Sequence, residues 1–121
     1  MKENIIQKKS YAFALRIVQL YQYLVHTKKE FVLSKQILRS GTSIWANIEE
    51  AIWWQSKKDF ISKMSVVYKE ARETRFRLNL LYDGKILDQK LYSSLLCDVE
   101  EILKIVTAIQ KTAKKKTHEE N

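Results

Sequence analysis

The chain has 121 residues, a length that supports one hydrophobic core but not two. It contains no proline and only two glycines, and apolar residues make up 45% of it. This composition excludes a disordered chain and disfavours a strand-rich fold, whose turns need glycine and proline. The chain has neither an apolar run of the about 18 residues that span a membrane nor the hydrophobic stretch of a secretory signal. The net charge of +8 favours an anionic partner such as RNA or DNA.

The first predicted helix, at about residues 10–26, has two neighbouring apolar stripes at helical spacing. The first stripe consists of Tyr11, Leu15, Val18, Gln22 and Val25, and the second of Phe13, Ile17, Leu20 and Leu24. A helix that is apolar around so much of its circumference has two interpretations. Either both stripes form one wide core face, or the second stripe meets another subunit.

The second predicted helix spans about residues 32–54, and Gly41 lies within its apolar stripe. A missing side chain there allows a neighbouring helix to approach closely, at a cost of about 1 kcal/mol in helix propensity. The third helix is predicted at about residues 57–82. Ser56 is a favourable N-cap for it, and Gly84 suits a left-handed position after its end.

The fourth predicted helix spans about residues 88–113, with Asp88 as its cap. The basic tail that follows, residues 114–121, is expected to fray. Four amphipathic helices with short connections each bury one apolar face against their neighbours. The sequence therefore predicts a single all-α domain over residues 1–121, an antiparallel up-down-up-down four-helix bundle.

No pattern in the sequence indicates catalysis or a cofactor. Cys97 lies among apolar residues of the fourth helix, which favours a role in packing. As the only cysteine it forms no intrachain disulfide, which favours the reducing cytoplasm. His26 and His118 have no ligand-spaced partners, the Glu-x-x-His pairs of a di-iron bundle are absent, and no glycine-rich phosphate loop occurs. We therefore expect a non-enzymatic protein without a metal or cofactor.

A polar stripe runs along the second helix on the side away from its apolar stripe. Its members are Arg39, Ser43, Asn47 and Glu50. The stripe is either a solvated face or, because its short amide and hydroxyl groups suit close packing, a hydrogen-bonded interface.

Basic residues are concentrated on the third helix and at the end of the fourth. On the third helix, Lys58, Lys69 and Arg72 share an outward face with Ser62, Ser65 and Phe76. Small hydroxyl groups between cations allow a phosphate backbone to approach closely. The last cluster consists of Lys111, Lys114, Lys115 and Lys116. Ordinary ion pairs one turn apart and the helix macrodipole explain both groups equally well, so nucleic-acid binding is one of two interpretations.

Nearly the whole chain resembles a bacterial family of four-helix-bundle proteins, first noticed as reading frames inside intervening sequences of 23S ribosomal RNA genes. The most specific segments are Gln36-x-Leu38-Arg39-Ser40, then Ser43-Ile44-x-Ala46-Asn47-Ile48-x-Glu50, and Lys69-Glu70-Ala71-Arg72-Glu73-Thr74. The resemblance implies a homopentamer with a basic surface, in which Arg39, Ser43, Asn47 and Glu50 are signature residues of an oligomer interface or polar network. A relative, the accessory protein of diversity-generating retroelements, implies binding to nucleic acid and to a reverse transcriptase.

Three tryptophans depart from that family's pattern. Trp45, Trp53 and Trp54 stand where the pattern has glycine, and each ring should either clash with close packing or enlarge an exposed apolar patch. If they are native, they place the pentamer in doubt. We hypothesise that their codons are UGA, which some bacteria read as glycine and others as tryptophan. Deliberate substitution is the other explanation, and UGG codons in the native gene would rule out the recoding hypothesis.

The sequence thus predicts a cytoplasmic, oligomeric protein of this family that binds RNA or DNA through basic surfaces and has no membrane partner. The alternative is a protein-interaction or scaffold module with no direct nucleic-acid role. Salt dependence separates the two, because binding to a polyanion weakens steeply as salt rises.

Overall fold

The structure, a computed structural model, describes residues 4–53 and 56–120, with side chains through residue 116. It contains four helices: α1 (Ile5–His26), α2 (Leu33–Trp53), α3 (Lys57–Asp83) and α4 (Gln89–Glu120). No strand occurs in those ranges. The all-α class is therefore confirmed, and the predicted helices agree with the observed ones except at both ends of the chain. The part of the second-helix prediction that includes Trp54 lies outside the described residues.

Contacts between neighbouring helices pair the earlier residues of one helix with the later residues of the other. Gln7 donates a hydrogen bond to Glu49, whereas Ile17, further along α1, lies against Gly41, earlier in α2. Reversed contacts of the same kind join α2 to α3 and α4 to α1: Arg39 with Glu70, Lys63 with Glu50, Lys9 with Glu101, and Arg16 with Asp98. Beside the short α3–α4 connection, Tyr92 donates to Asn79. The helices form a closed ring in chain order, which fits the predicted up-down-up-down bundle.

The core fits neither interpretation of α1, because the second stripe is buried within the chain and the first stripe is not part of the core. Its second stripe is buried in the bundle, with Phe13, Ile17, Leu20 and Leu24 all at most 3% exposed. The expectation that this stripe meets another subunit is therefore wrong. The first stripe is the uncovered one, because it lies on the opposite side from α3: Tyr11 is 49% exposed, Leu15 48% and Val18 37%. Periodicity alone does not choose between the stripes, and the polar Gln22 in the first stripe is the signal for the exposed side.

Both terminal helices are longer than predicted. α1 begins at Ile5 because Asn4 and Gln7 form a capping box, in which each side chain accepts a hydrogen bond from the other's backbone N–H. α4 continues to Glu120, so the expectation that residues 114–121 fray is wrong for the backbone through residue 120. The lysines and glutamates of this segment are good helix formers, and no glycine or proline interrupts them.

Side chains cap the other helix starts. Ser56 accepts from the backbone N–H of Asp59, and Asp88 accepts from that of Leu91, as predicted. The start of α2 has a cap that the sequence pattern does not indicate. There the carboxylate of Glu30 accepts hydrogen bonds of 2.7–3.1 Å from three backbone N–H groups, those of Val32, Leu33 and Ser34.

The end of α3 corrects the prediction for Gly84. Gly84 has a φ of −77°, and the left-handed residue is Lys85, with a φ of 63°. The turn closes through hydrogen bonds from Lys85 N–H to the Tyr82 carbonyl and from Ile86 N–H to the Leu81 carbonyl. Ile86, the residue after this left-handed position, packs against the core.

Cys97 is exposed on α4, so the prediction that it serves as a core packing residue is wrong. Its helical face also includes exposed Ser93 and Glu100, and the core face of α4 lies on the other side. Within the described ranges, no helix is both long enough and apolar enough to cross a membrane.

Candidate nucleic-acid interface

The seam between α2 and α3 is a polar network of paired charges. The Arg39 guanidinium lies 3.3 Å from a carboxylate oxygen of Glu70 and 3.1 Å from one of Glu73. Arg77 approaches the same Glu73 oxygen at 3.4 Å. Below these ions, the buried Thr74 hydroxyl donates to the buried Ser40 hydroxyl at 2.9 Å. The seam therefore pairs the acidic residues in the middle of α3 with arginines.

The charges of this seam reinforce one another. The attraction of Glu70, followed by hydrogen bonds to both carboxylates, raises the pKa of Arg39 above its usual range. Partial burial alone would raise the pKa of Glu73. The hydrogen bond from Arg39 and the charge of Arg77 outweigh that effect and lower the pKa below its ordinary 4.5. Arg39 and Glu73 are thus both ionised near neutral pH, and their charges compensate each other.

The other members of the predicted polar stripe on α2 also have partners inside the chain. The Ser43 hydroxyl donates to the Arg39 carbonyl at 2.6 Å, and the Asn47 amide donates to the Ser43 carbonyl at 2.8 Å. Glu50 forms an ion pair with Lys63 of α3 at 2.6 Å. Arg39 and Glu50 of the stripe thus bridge to α3, whereas Ser43 and Asn47 bond to carbonyls of their own helix. The role of the stripe in an oligomer interface stays a prediction.

The outward face of α3 differs from the seam because its cations form no close ion pair with the described side chains. Lys58, Lys69 and Arg72 are exposed, and among the described residues none has a carboxylate within 4 Å. The exposed hydroxyls of Ser62 and Ser65 lie between Lys58 and Lys69 on the same face. This face therefore presents positive charge without close ion pairs, with only a longer-range attraction between Lys69 and Glu73 and with little bulk between the charges.

Arg72 is held between two aromatic rings of its own helix. Its guanidinium carbon lies 5.8 Å from the Tyr68 ring centroid and 5.6 Å from the Phe76 ring centroid. Both distances lie within the range of a cation–π interaction. Helical spacing predicted that Phe76 lies on this face. It did not predict the contact of Arg72 with Tyr68, which lies one turn before Arg72 and is partly buried.

The lysines at the end of α4 lie at the same end of the bundle as Lys58, because α3 and α4 are antiparallel. Lys111, Lys114 and Lys115 are exposed, as is Lys116, and no carboxylate of the described side chains lies within 4 Å of any of them. From Lys58, the face continues along α3 for about 17 Å to Lys69 and about 21 Å to Arg72. The two predicted basic groups, on α3 and at the end of α4, thus approach each other only at the end of the bundle that contains Lys58.

The tryptophans that the structure describes are accommodated on the surface. Trp45 is half-buried at the outer edge of the α1–α2 seam, where its ring centroid lies 5.4 Å from that of Tyr11. Trp53, at the end of α2, is 78% exposed and enlarges the apolar surface, as expected. The predicted outward position of Trp54 lies outside the described residues. Both described tryptophan rings fit the fold. This fit agrees with tryptophan codons and with recoded glycine codons alike.

Comparison with known proteins agrees with this arrangement of helices. The model of the family described as 23S rRNA-intervening sequence protein matches residues 2–108. The chain belongs to the 23S rRNA-intervening sequence protein family. No protein with curated function matches the chain.

A solved member of similar structure supports the fold of this 23S rRNA-intervening sequence protein. It is a protein of unknown function of the S23 ribosomal protein family from Bacteroides thetaiotaomicron. Its sequence is 50% identical, and the alignment covers 88% of this chain and 99% of that chain with a TM-score of 0.88. The described helices of this chain are thus arranged like those of a solved bacterial protein.

Proposed function

We propose that this 23S rRNA-intervening sequence protein binds RNA or DNA and catalyses no reaction. The interface is the outward face of α3, with Lys58, Lys69 and Arg72, continued by the lysines at the end of α4. One observation carries the proposal: none of these cations has a carboxylate of the described side chains within 4 Å, whereas Arg39 and Arg77 on the neighbouring seam form ion pairs with carboxylates. Lys69 has only a longer-range attraction to Glu73. Unpaired cations on one face attract a phosphate backbone without first giving up a partner.

The test is fluorescence anisotropy with structured RNA, single-stranded RNA and duplex DNA across a salt series. The variant replaces the three α3 cations together, as Lys58→Gln, Lys69→Gln and Arg72→Gln. The natural protein should bind with micromolar or tighter affinity at low salt. The variant should bind more weakly, and the slope of log affinity against log salt should fall by about one for each phosphate that the variant no longer neutralises.

A matched control removes the same charge from the opposite end of the bundle. Lys28, Lys29 and Lys85 are exposed lysines of the α1–α2 and α3–α4 connections. Their triple glutamine variant should bind almost as well as the natural protein. Equally weakened binding in the two triple variants would show that only net charge matters and would contradict the assignment to α3. Absence of binding to every probe at low salt would contradict the proposed function itself.

We also propose that the chain self-associates through the uncovered stripe of α1, Tyr11, Leu15 and Val18. The three side chains are 37–49% exposed and lie one turn apart, with Trp45 beside Tyr11. Aligned apolar side chains on a helix are more than the scattered exposure of a monomer surface. The family resemblance implies a homopentamer, and it implies a reverse transcriptase as a protein partner of such an assembly. If no nucleic-acid probe binds, the uncovered stripe of α1 favours the alternative function, a scaffold without a nucleic-acid role.

The location that we propose is the bacterial cytoplasm. The one cysteine is an exposed thiol on α4, which a reducing compartment keeps free. RNA and DNA are also present there, so the location and the proposed binding partner agree. Fractionation of cells that express the chain would test the location, and recovery with the membrane or periplasmic fraction would contradict it.

A further inference from the structure

The Tyr68, Arg72 and Phe76 side chains have an organisation that phosphate binding does not require. They stand four residues apart on α3, and the guanidinium of the middle residue lies between the two rings. The nearest carboxylates along the helix, Glu70 and Glu73, point to the α2 seam, where they pair with Arg39. The rings therefore orient Arg72, and its hydrogen-bonding edge has no competing carboxylate among the described residues.

Phe76 exposes half of its surface, 49%, although one side of its ring already meets Arg72. Leu80, one turn further along the same face, is 57% exposed. The outward face of α3 is thus cationic and hydroxylic from Lys58 to Arg72, and apolar beyond it. An aromatic ring beside a fixed guanidinium matches the flat face of a nucleobase, while the cations match the phosphates.

The length of this face suits a strand of several nucleotides. From Lys58 to Phe76 the helix rises about 27 Å, which equals about eight nucleotides at the about 3.4 Å spacing of a stacked strand. In a duplex the base faces are stacked on one another, so a duplex meets the cations but offers no base face to Phe76. A single strand can meet both parts.

We propose that Tyr68, Arg72 and Phe76 form a stacking platform for an unpaired nucleobase, so that the protein prefers single-stranded RNA or DNA to a duplex of the same length. This inference rests on the proposed function, because the cations of the same face hold the backbone of the strand. The platform adds an interaction that salt does not screen, since stacking involves no counter-ion release.

The experiment compares four labelled probes of one length: unstructured single-stranded RNA, unstructured single-stranded DNA, and the duplex of each. The variant is Phe76→Leu, which keeps an apolar side chain and removes the ring. Its control is Phe31→Leu, because Phe31 is equally exposed at 52% but lies in the α1–α2 connection. Circular dichroism of each variant establishes that it is folded.

The natural protein should bind single strands at least tenfold more tightly than duplexes. Phe76→Leu should reduce single-strand affinity about tenfold and duplex affinity almost not at all, whereas Phe31→Leu should reduce neither. Arg72→Lys, which keeps the charge but not the planar group, should also weaken single-strand binding. A preference for single strands in both the RNA and DNA arms supports a platform for any unpaired base, and a preference in the RNA arm alone supports a platform for RNA.

Equal affinity for single strands and duplexes, with no effect of Phe76→Leu, would overturn the platform and leave the proposed function standing. An equal reduction with Phe31→Leu would overturn it too, because a general effect of exposed rings would then explain the data. Absence of binding to all four probes at low salt would overturn the proposed function, and the platform with it. The two failures are therefore distinguishable.

Discussion

At the scale of single residues, Gly41 has the clearest packing role in the chain. A Cβ atom at this position would lie 2.8 Å from both Cγ1 and Cγ2 of Ile17, closer than carbon atoms can approach. Ile17 is fully buried and branched at Cβ, so it has little freedom to move. Glycine at this point of α2 is therefore a condition for the observed α1–α2 packing.

We expect Gly41→Ala to destabilise the fold even though alanine favours helix by about 1 kcal/mol. Overpacking of a core costs about 1–3 kcal/mol, so the net destabilisation should be about 1 kcal/mol. Urea unfolding followed by circular dichroism measures it. In Ile17→Ala the clashing atoms are gone, so Gly41→Ala made in that background should no longer destabilise. Additive effects in the double variant would contradict the assigned contact.

The residues of the candidate site show how much of its geometry could be predicted from the sequence. Spacing placed Lys58, Lys69, Arg72 and Phe76 on one outward face, because positions three and four apart lie together on any helix. Spacing did not reveal that Arg39 pairs with Glu70 and Glu73, since that depends on how α2 and α3 are rotated about their axes. Residue types therefore predicted the basic face, and only the packed structure showed the neutral seam beside it.

At the scale of elements, the start of α2 depends on a carboxylate four residues before its first buried residue, Ser34. Partial burial alone would raise the pKa of Glu30. Hydrogen bonds from the backbone N–H groups of Ser34, Leu33 and Val32 outweigh this effect and lower the pKa below its ordinary 4.5. A sequence search for serine, threonine, aspartate or asparagine caps misses this glutamate, because its longer side chain reaches the helix from outside the usual cap position.

Glu30→Ala should lower the free energy of unfolding by about 1 kcal/mol at neutral pH, the usual value of a helix cap. A carboxylate with a lowered folded-state pKa stabilises the protein fully above its unfolded pKa of about 4.3. This contribution disappears as the pH falls through the lower folded-state pKa. The difference between natural protein and variant should therefore be constant from about pH 6 to 8 and shrink below about pH 4.

Thermal unfolding at a series of pH values, followed by circular dichroism, tests this expectation. The control is Gln36→Ala, an exposed substitution in the first turn of the same helix, which should give a small difference at every pH. A Glu30→Ala difference that grew on acidification would contradict the cap, since the carboxylate would then be destabilising the folded state.

At the scale of the whole molecule, the fold was predictable because helical periodicity is strong in all four segments and the connections are short. The sequence did not predict which side of α1 faces the core. Phe13 and Ile17 on one stripe are about as apolar as Leu15 and Val18 on the other, and only Gln22 of the first stripe indicates the exposed side. The outcome depends on the close approach of α2 at Gly41, which is a property of two helices together.

Self-association is tested at this scale. Leu15→Glu places a charge in the centre of the uncovered stripe of α1 and should reduce the assembly to single chains. The mass from light scattering should fall from about five times the 14.4 kDa of one chain to that of one chain. Val32→Glu, at a residue 66% exposed in front of α2, should leave the mass unchanged. A natural protein that already has the mass of one chain would contradict the assembly.

The position of the tryptophans has a consequence for optical experiments on this protein. The two described tryptophans, Trp45 and Trp53, lie in α2, and Trp45 touches Tyr11 of α1. The emission of these two residues therefore reports on the α1–α2 half of the bundle and not on α4 leaving α3. Circular dichroism weights every helix by its length, and α4 is the longest. If the unfolding transitions measured by tryptophan emission and by circular dichroism do not coincide, their order would thus identify which half of the bundle opens first.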